Sequence, residues 1–153
     1  MNTEEAMWMA ISLAKNSSSK TEDVPVGAII LNASGEVVAT GTNERELQTD
    51  PSAHAEIVAI RNAARALHSW RLEDHTLIVT LEPCAMCAGA IVQSRIQKVV
   101  FGAWDEKAGA AGSVWDILRD PRTLHKVEVV PGLLAIECAQ LLATFFKEKR
   151  RGN

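Results

Sequence analysis

Two short stretches of this chain hold side chains whose types and spacing can do chemistry. Pro83-Cys84-Ala85-Met86-Cys87 sets two thiols three residues apart where a helix is expected to open. Thiols at that spacing share one helical face, and the positive end of a helix favours thiolate over thiol. Two such thiolates make half of a tetrahedral zinc site. The same C-x-x-C at a helix start in an α/β setting also reads as a thioredoxin-like redox pair, and alone it leaves both readings open. His54-Ala55-Glu56, near the start of a second expected helix, turns the balance toward metal. Residues two apart do not share a helical face. In a first turn, however, side chains lean toward the N-terminus, so His54 and Glu56 can straddle a point just beyond the helix end. His54 then supplies a third ligand, and Glu56 reaches a water at the metal without binding the metal itself. Three protein ligands leave one position open, as a catalytic site requires. A structural zinc would need a fourth ligand; Cys138, the one spare thiol, reads as core of the last helix. His68, His75 and His125 read as ordinary histidines without a ligand role.

H-x-E followed by P-C-x-x-C is the known signature of the zinc deaminases that act on nucleobases. Their reaction replaces an exocyclic amine by a carbonyl oxygen. Water is too weak a nucleophile for this at neutral pH, and zinc lowers its pKa. A ring nitrogen and the leaving amine must each gain a proton, and one carboxylate can serve both. Glu56 is the candidate. The plainer reading is that an acidic residue simply suits a helix N-terminus.

These residues must be positioned by a fold, and the chain alternates helical with strand patterns. Ala6, Met7, Met9, Ala10, Leu13 and Ala14 recur at helical spacing within residues 3–16. Val24–Leu31 and Val37–Thr40 read as strands joined by an Asn32–Gly35 hairpin turn. Asp50-Pro51 reads as the opening of a helix that runs to Leu67, with Asp as cap and Pro in the first turn. Thr76–Leu81 reads as a buried strand, Pro83–Arg95 as a helix, Lys98–Phe101 as a strand and Val114–Leu118 as a short helix. Val127–Val130 and Leu133–Arg150 read as a last strand and a last amphipathic helix. The expected architecture is one domain over residues 1–153, a three-layer α/β/α fold around a mixed five-stranded sheet.

The bulk properties agree with a folded enzyme. The 153 residues are 47% hydrophobic and 23% charged, enough for one core. No apolar run is long enough to span a membrane. The acidic, polar start Met1-Asn2-Thr3-Glu4-Glu5 is unlike a secretory signal, so the expected compartment is the cytoplasm. The net charge is −3, yet Lys147-Glu148-Lys149-Arg150-Arg151 is basic, so the rest of the chain is more acidic still. A basic tip on an acidic body suits contact with a phosphate backbone; cations also suit any helix C-terminus.

Over nearly its whole length the chain resembles the bacterial tRNA-specific adenosine deaminases of the cytidine deaminase-like superfamily. The resemblance is carried by Val24–Ala28, Asp50–Ile57, Ser69–Leu72, Thr80–Ala90 and Ser94–Ile96. The zinc motifs are shared with cytidine, guanine, cytosine and riboflavin-precursor deaminases and name only the chemistry. Phe101–Ser113 is the more selective segment and is similar to a loop characteristic of the tRNA enzymes. The resemblance implies one zinc per subunit, a homodimer whose sites draw on both subunits, and a tRNA anticodon stem-loop as partner. The implied product is inosine at the wobble position, with an arginine tRNA as the expected substrate. Asn43 matches a residue that hydrogen-bonds the target base, and Asp105 one near its sugar. Lys107, Arg71, Arg150 and Arg151 read either as phosphate contacts or, equally, as solvated surface, and Phe145 and Phe146 either border the RNA or belong to the core. Trp104 and Leu124 depart from the family pattern. The alternative function is a free-base deaminase of guanine or cytosine, which would share every catalytic residue and need no basic tail. A non-enzymatic zinc-stabilised subunit is disfavoured by the presence of Glu56.

Overall fold

A computed structural model describes residues 1–152. Helix α1 (Thr3–Ser18) precedes strands β1 (Gly27–Leu31) and β2 (Val37–Thr42), a single-turn helix α2 (Arg45–Gln48) and helix α3 (Ala55–Leu67). Strand β3 (Thr76–Leu81), helix α4 (Ala85–Gln93), strand β4 (Lys98–Ala103), strand β5 (Glu128–Val130) and helix α5 (Ala135–Arg151) follow. The strands form one mixed sheet in the order β2-β1-β3-β4-β5. Strand β1 is antiparallel to both neighbours, whereas β3, β4 and β5 run parallel.

Alternation along the strands divides the core into two. Ala28, Ile30, Leu77, Val79, Val99 and Phe101 point to one face, against Ala55, Ala59 and Ala63 of α3 and Ala88, Ile91 and Val92 of α4. Ile29, Leu31, Ile78 and Val100 point to the other, against Ala6, Met7, Ala10, Ile11 and Ala14 of α1 and Cys138 and Leu141 of α5. A period of two on the strands and of three to four on the helices therefore builds the expected three layers.

The alanines of α3, spaced four apart, let that helix lie close on β2. A Cβ added at Gly41 would run into the carbonyl oxygen of Ala55 and lie 2.6 Å from the Ala59 amide nitrogen. Both obstacles are backbone, so α3 itself would have to move. Gly41→Ala is expected to cost about 1–3 kcal/mol of stability and to weaken zinc retention, since His54 immediately precedes α3. Urea denaturation and metal analysis of the purified variant check both effects.

Two local expectations are corrected, and one element is additional. Asp50-Pro51 does not open α3: Asp50 Oδ1 accepts the Ser52 amide (2.9 Å) and hydroxyl (2.8 Å) in a turn, and the helix begins at Ala55 with His54 as its N-cap residue. Residues 114–118 are not helical; the segment folds back in turns, and Ala111 bridges Asp116. Helix α2 was not expected, because four residues show no periodicity. It is held from outside, by Asp23 carboxylate oxygens accepting the amides of Glu46 (2.6 Å) and Leu47 (3.2 Å).

Candidate metal centre and active site

The topology explains why the two sequence motifs meet. Parallel strands β3 and β4 end at the same edge of the sheet, where open α/β sheets place their sites. Because β1 is antiparallel to β2 and β3, its N-terminal end, with Val24 and Val26 just before it, lies at that edge too. Chain leaving β2 and β3 there enters α3 and α4, whose N-termini both face the same point. His54 and Cys84 are the N-cap residues of these helices, in extended conformation, and neither uses its side chain to cap.

Nδ1 of His54 lies 3.5 Å from Sγ of Cys84 and 3.5 Å from Sγ of Cys87. The three ligand atoms all fall within 4.8 Å of one another, the one such His/Cys/Asp/Glu group found among the described residues. Their electrostatics is that of a site short of positive charge. The hydrogen bond from the Cys87 thiol, opposed by partial burial and aided by the His54 ring, holds the Cys84 thiol down to about 4. The same bond, with burial and the nearby Glu56 carboxylate, pushes the Cys87 thiol far up. His54 is raised in turn, chiefly by its hydrogen bond to Cys84. A second thiolate therefore forms readily only beside a cation. Two sulfurs and one imidazole, preformed and converging, suit zinc. The expected non-ligands stay away: His75 Nδ1 lies 2.7 Å from the Glu73 carbonyl, His125 Nε2 lies 2.7 Å from that of Ile96, and Cys138 is buried under Gly102.

Glu56 is only 4% exposed and stands in the first turn of α3 beside the Cys87 thiol. Burial pushes its carboxyl up to about 7. A carboxyl poised there can take a proton and return it near neutral pH.

His54, Glu56 and Cys84 open onto a cavity of about 230 Å³ walled by Val24, Val26, Leu81, Asn43, Arg45, Asp105 and Ala108. A larger groove, about 450 Å³, lies between α1 and α5 and holds none of these residues apart from Phe145 among the sequence candidates. The metal-binding group belongs to the smaller cavity, and that is where the chemistry lies. Asn43 is nearly buried; its Nδ2 donates to the Val24 carbonyl (3.2 Å) and its Oδ1 accepts the Arg45 amide (3.2 Å). Each end of the amide keeps one unused hydrogen-bonding position, so Asn43 can still offer a donor and an acceptor. Asp105 Oδ1 accepts the amides of Lys107 (3.1 Å) and Ala108 (3.2 Å), which shapes the turn at the cavity rim.

The basic candidates are dispersed. Lys107 is exposed on the rim turn, and Arg150 and Arg151 occupy the last turn of α5. Arg71 lies beyond the far end of α3, paired with Glu73 (3.0 Å) and stacked on Trp70 (4.6 Å), and does not line the cavity. Sequence reasoning missed two cavity residues. Arg45 is carried by α2, too short to leave a pattern. Glu82, one residue before the Pro83 motif, is 2% exposed. Burial would raise its carboxyl, but hydrogen bonds from Ser113 and from backbone amides outweigh that and hold it below the usual range.

Comparison with known proteins agrees with this geometry. The family described as "Cytidine and deoxycytidylate deaminase zinc-binding region" matches residues 1–103. A tRNA-specific adenosine deaminase of Bacillus subtilis is 47% identical over 97% of this chain and 92% of its own length. A solved structure from studies of A-to-I editing by tRNA:A34 deaminases at the wobble position of transfer RNA superposes with a TM-score of 0.84. It is 39% identical and covers 89% of this chain and 97% of that one. A guanine deaminase from Bacillus subtilis is 30% identical, with a TM-score of 0.67 over 99% of this chain and 95% of that one.

Proposed function

Because the chain belongs to the cytidine and deoxycytidylate deaminase zinc-binding family, we propose that it deaminates adenosine to inosine at the wobble position of a tRNA anticodon. One observation carries the chemistry: His54, Cys84 and Cys87 converge beside a buried Glu56, and His54, Glu56 and Cys84 line one cavity. Its volume of about 230 Å³ lies below the roughly 300 Å³ at which pockets for drug-sized ligands begin. It suits a single base splayed out of its loop better than a stacked oligonucleotide.

His54, Cys84 and Cys87 would hold one zinc, and zinc bound there supplies the Lewis acidity that makes water nucleophilic at neutral pH. Glu56 takes the proton from the attacking water and passes it to the ring nitrogen. It then takes the remaining proton from the hydroxyl now on the attacked carbon and delivers it to the amine, which leaves as ammonia as the carbonyl forms. Asn43 orients the base through its free donor and acceptor positions, and Asp105 lies toward the sugar. The apolar walls of Val24, Val26 and Leu81 exclude bulk water from the reacting face. Lys107, Arg150 and Arg151 would meet phosphates. Arg71, remote from its own cavity, would serve RNA only across a homodimer, and a homodimer is part of this proposal. So is a single deaminase domain over residues 1–153, of which Asn153 lies outside the described residues. A cytoplasmic location follows from a tRNA substrate.

The rival reading, a free-guanine deaminase, has the likeness to the Bacillus guanine deaminase in its favour. The tRNA reading has the higher identity of the adenosine deaminases. Zinc-loaded protein incubated with an arginine-tRNA anticodon stem-loop bearing a wobble adenosine is expected to yield inosine at that one position, read by sequencing. Ammonia from free guanine or cytosine, with the stem-loop untouched, would transfer the assignment to the rival.

A further inference from the structure

We propose that Glu82 is a positioning residue for substrate binding: its carboxylate anchors the 105–113 segment, and with it the Asp105 and Ala108 wall of the cavity. The proposal rests on the deaminase reading above and concerns the same site. Glu82 is buried and has no part in the proton transfers assigned to Glu56. Its Oε1 accepts the Asp105 amide (2.9 Å) and the Ser113 hydroxyl. Its Oε2 accepts the amides of Ala111 (2.9 Å) and Ser113 (3.1 Å). Each oxygen thus takes two donors, so the carboxylate's acceptor capacity is filled by one loop.

The loop is shaped to receive it. A Cβ at Gly109 would collide with the Glu82 carboxylate, so the backbone can approach only because glycine stands there. Flanking contacts clip the same two segments together. The Ala110 amide donates to the Pro83 carbonyl (2.7 Å), and Gly109 bridges Cys84. Glu82 therefore joins the segment bearing two metal ligands to the segment that walls the substrate cavity. A loop left unanchored would have to be ordered by the substrate, and that ordering cost falls on binding.

Glu82→Gln is the informative variant. Nearly the same size, it replaces one oxygen by an amide group that meets two donors with a donor of its own. The expected result is a KM for the stem-loop raised about tenfold or more, with kcat within about threefold of wild type. Zinc content should stay at one per chain, and deuterium exchange in peptides spanning 104–115 should accelerate about tenfold. Ser113→Ala removes the hydroxyl donor alone and should shift KM and exchange in the same direction by less. It decides the matter should Glu82→Gln fail to fold.

Unchanged KM and unchanged exchange in Glu82→Gln would overturn the proposal. So would loss of zinc with collapse of kcat, which would make Glu82 a support of the metal site. If wild-type protein makes no inosine, the tRNA reading falls, and the exchange measurement by itself then decides the anchor.

Discussion

Glu56→Gln is expected to lower the deamination rate by about 10²- to 10⁴-fold while the protein keeps its fold and its zinc. The amide preserves volume in a position that is only 4% exposed, so no cavity opens beside the core. It cannot accept the proton of the attacking water or return one to the leaving amine. Because Glu56 is not among the three converging ligand atoms, metal content should stay unchanged. Single-turnover inosine formation and zinc analysis on the same preparation separate the two effects. A variant that keeps full activity would remove the proton-shuttle mechanism.

The same variant has a stability signature in metal-free protein. Burial holds the Glu56 carboxyl up at about 7, above its unfolded value of 4.5. Between those values the folded chain binds more protons than the unfolded chain, so this group makes stability fall as pH rises through the window. Glu56→Gln removes that contribution. The stability difference between variant and wild type should therefore grow in the variant's favour from about pH 4.5 to about pH 7 and stay level above. Paired urea melts across that range check the sign.

The second large effect is loss of a metal ligand. Cys87 is fully buried and shares its proton with Cys84, an arrangement that relaxes when a cation takes both sulfurs. Cys87→Ala leaves one thiol and one imidazole, too few ligands for a stable tetrahedral site. Deamination is expected to fall by about 10³-fold or more, since several kcal/mol of transition-state stabilisation disappear with the metal. Wild-type protein should also melt at higher temperature with excess zinc than after chelation, by an amount worth about 4 kcal/mol at a thousandfold excess over Kd. Cys87→Ala should show no such difference. Thermal scans with and without zinc, beside the activity assay, test both statements. A variant that retains zinc and turnover would show that the ligand set is drawn wrongly.

Much of this was legible because it is local. The helical spacing of α1 and the continuous apolar runs of β1, β3 and β4 follow from side chains that must face one or other half of the core. Errors arose where a local signal had a second local solution. Asp50-Pro51 has the composition of a helix start, but Ser52 offers Asp50 a tighter partner, and the turn wins. Val114–Leu118 is apolar enough for a helix, but the anchoring of the preceding loop bends the chain first.

The sequence by itself determined the metal-binding set. His54, Cys84 and Cys87, and Glu56 as the proposed shuttle beside them, are identifiable because two short spacings at helix starts carry their meaning whatever the rest of the chain does. Only the tertiary structure decided which residues complete the cavity. Asp23 reaches across 23 residues to cap α2 and so presents Arg45, and Glu82 reaches across 23, 29 and 31 residues to hold the loop that ends the cavity wall. The physical reason lies in the hydrogen bond itself. A buried carboxylate must find donors wherever the fold brings them, and nothing in the residues flanking Glu82 announces that its partners lie in a distant loop.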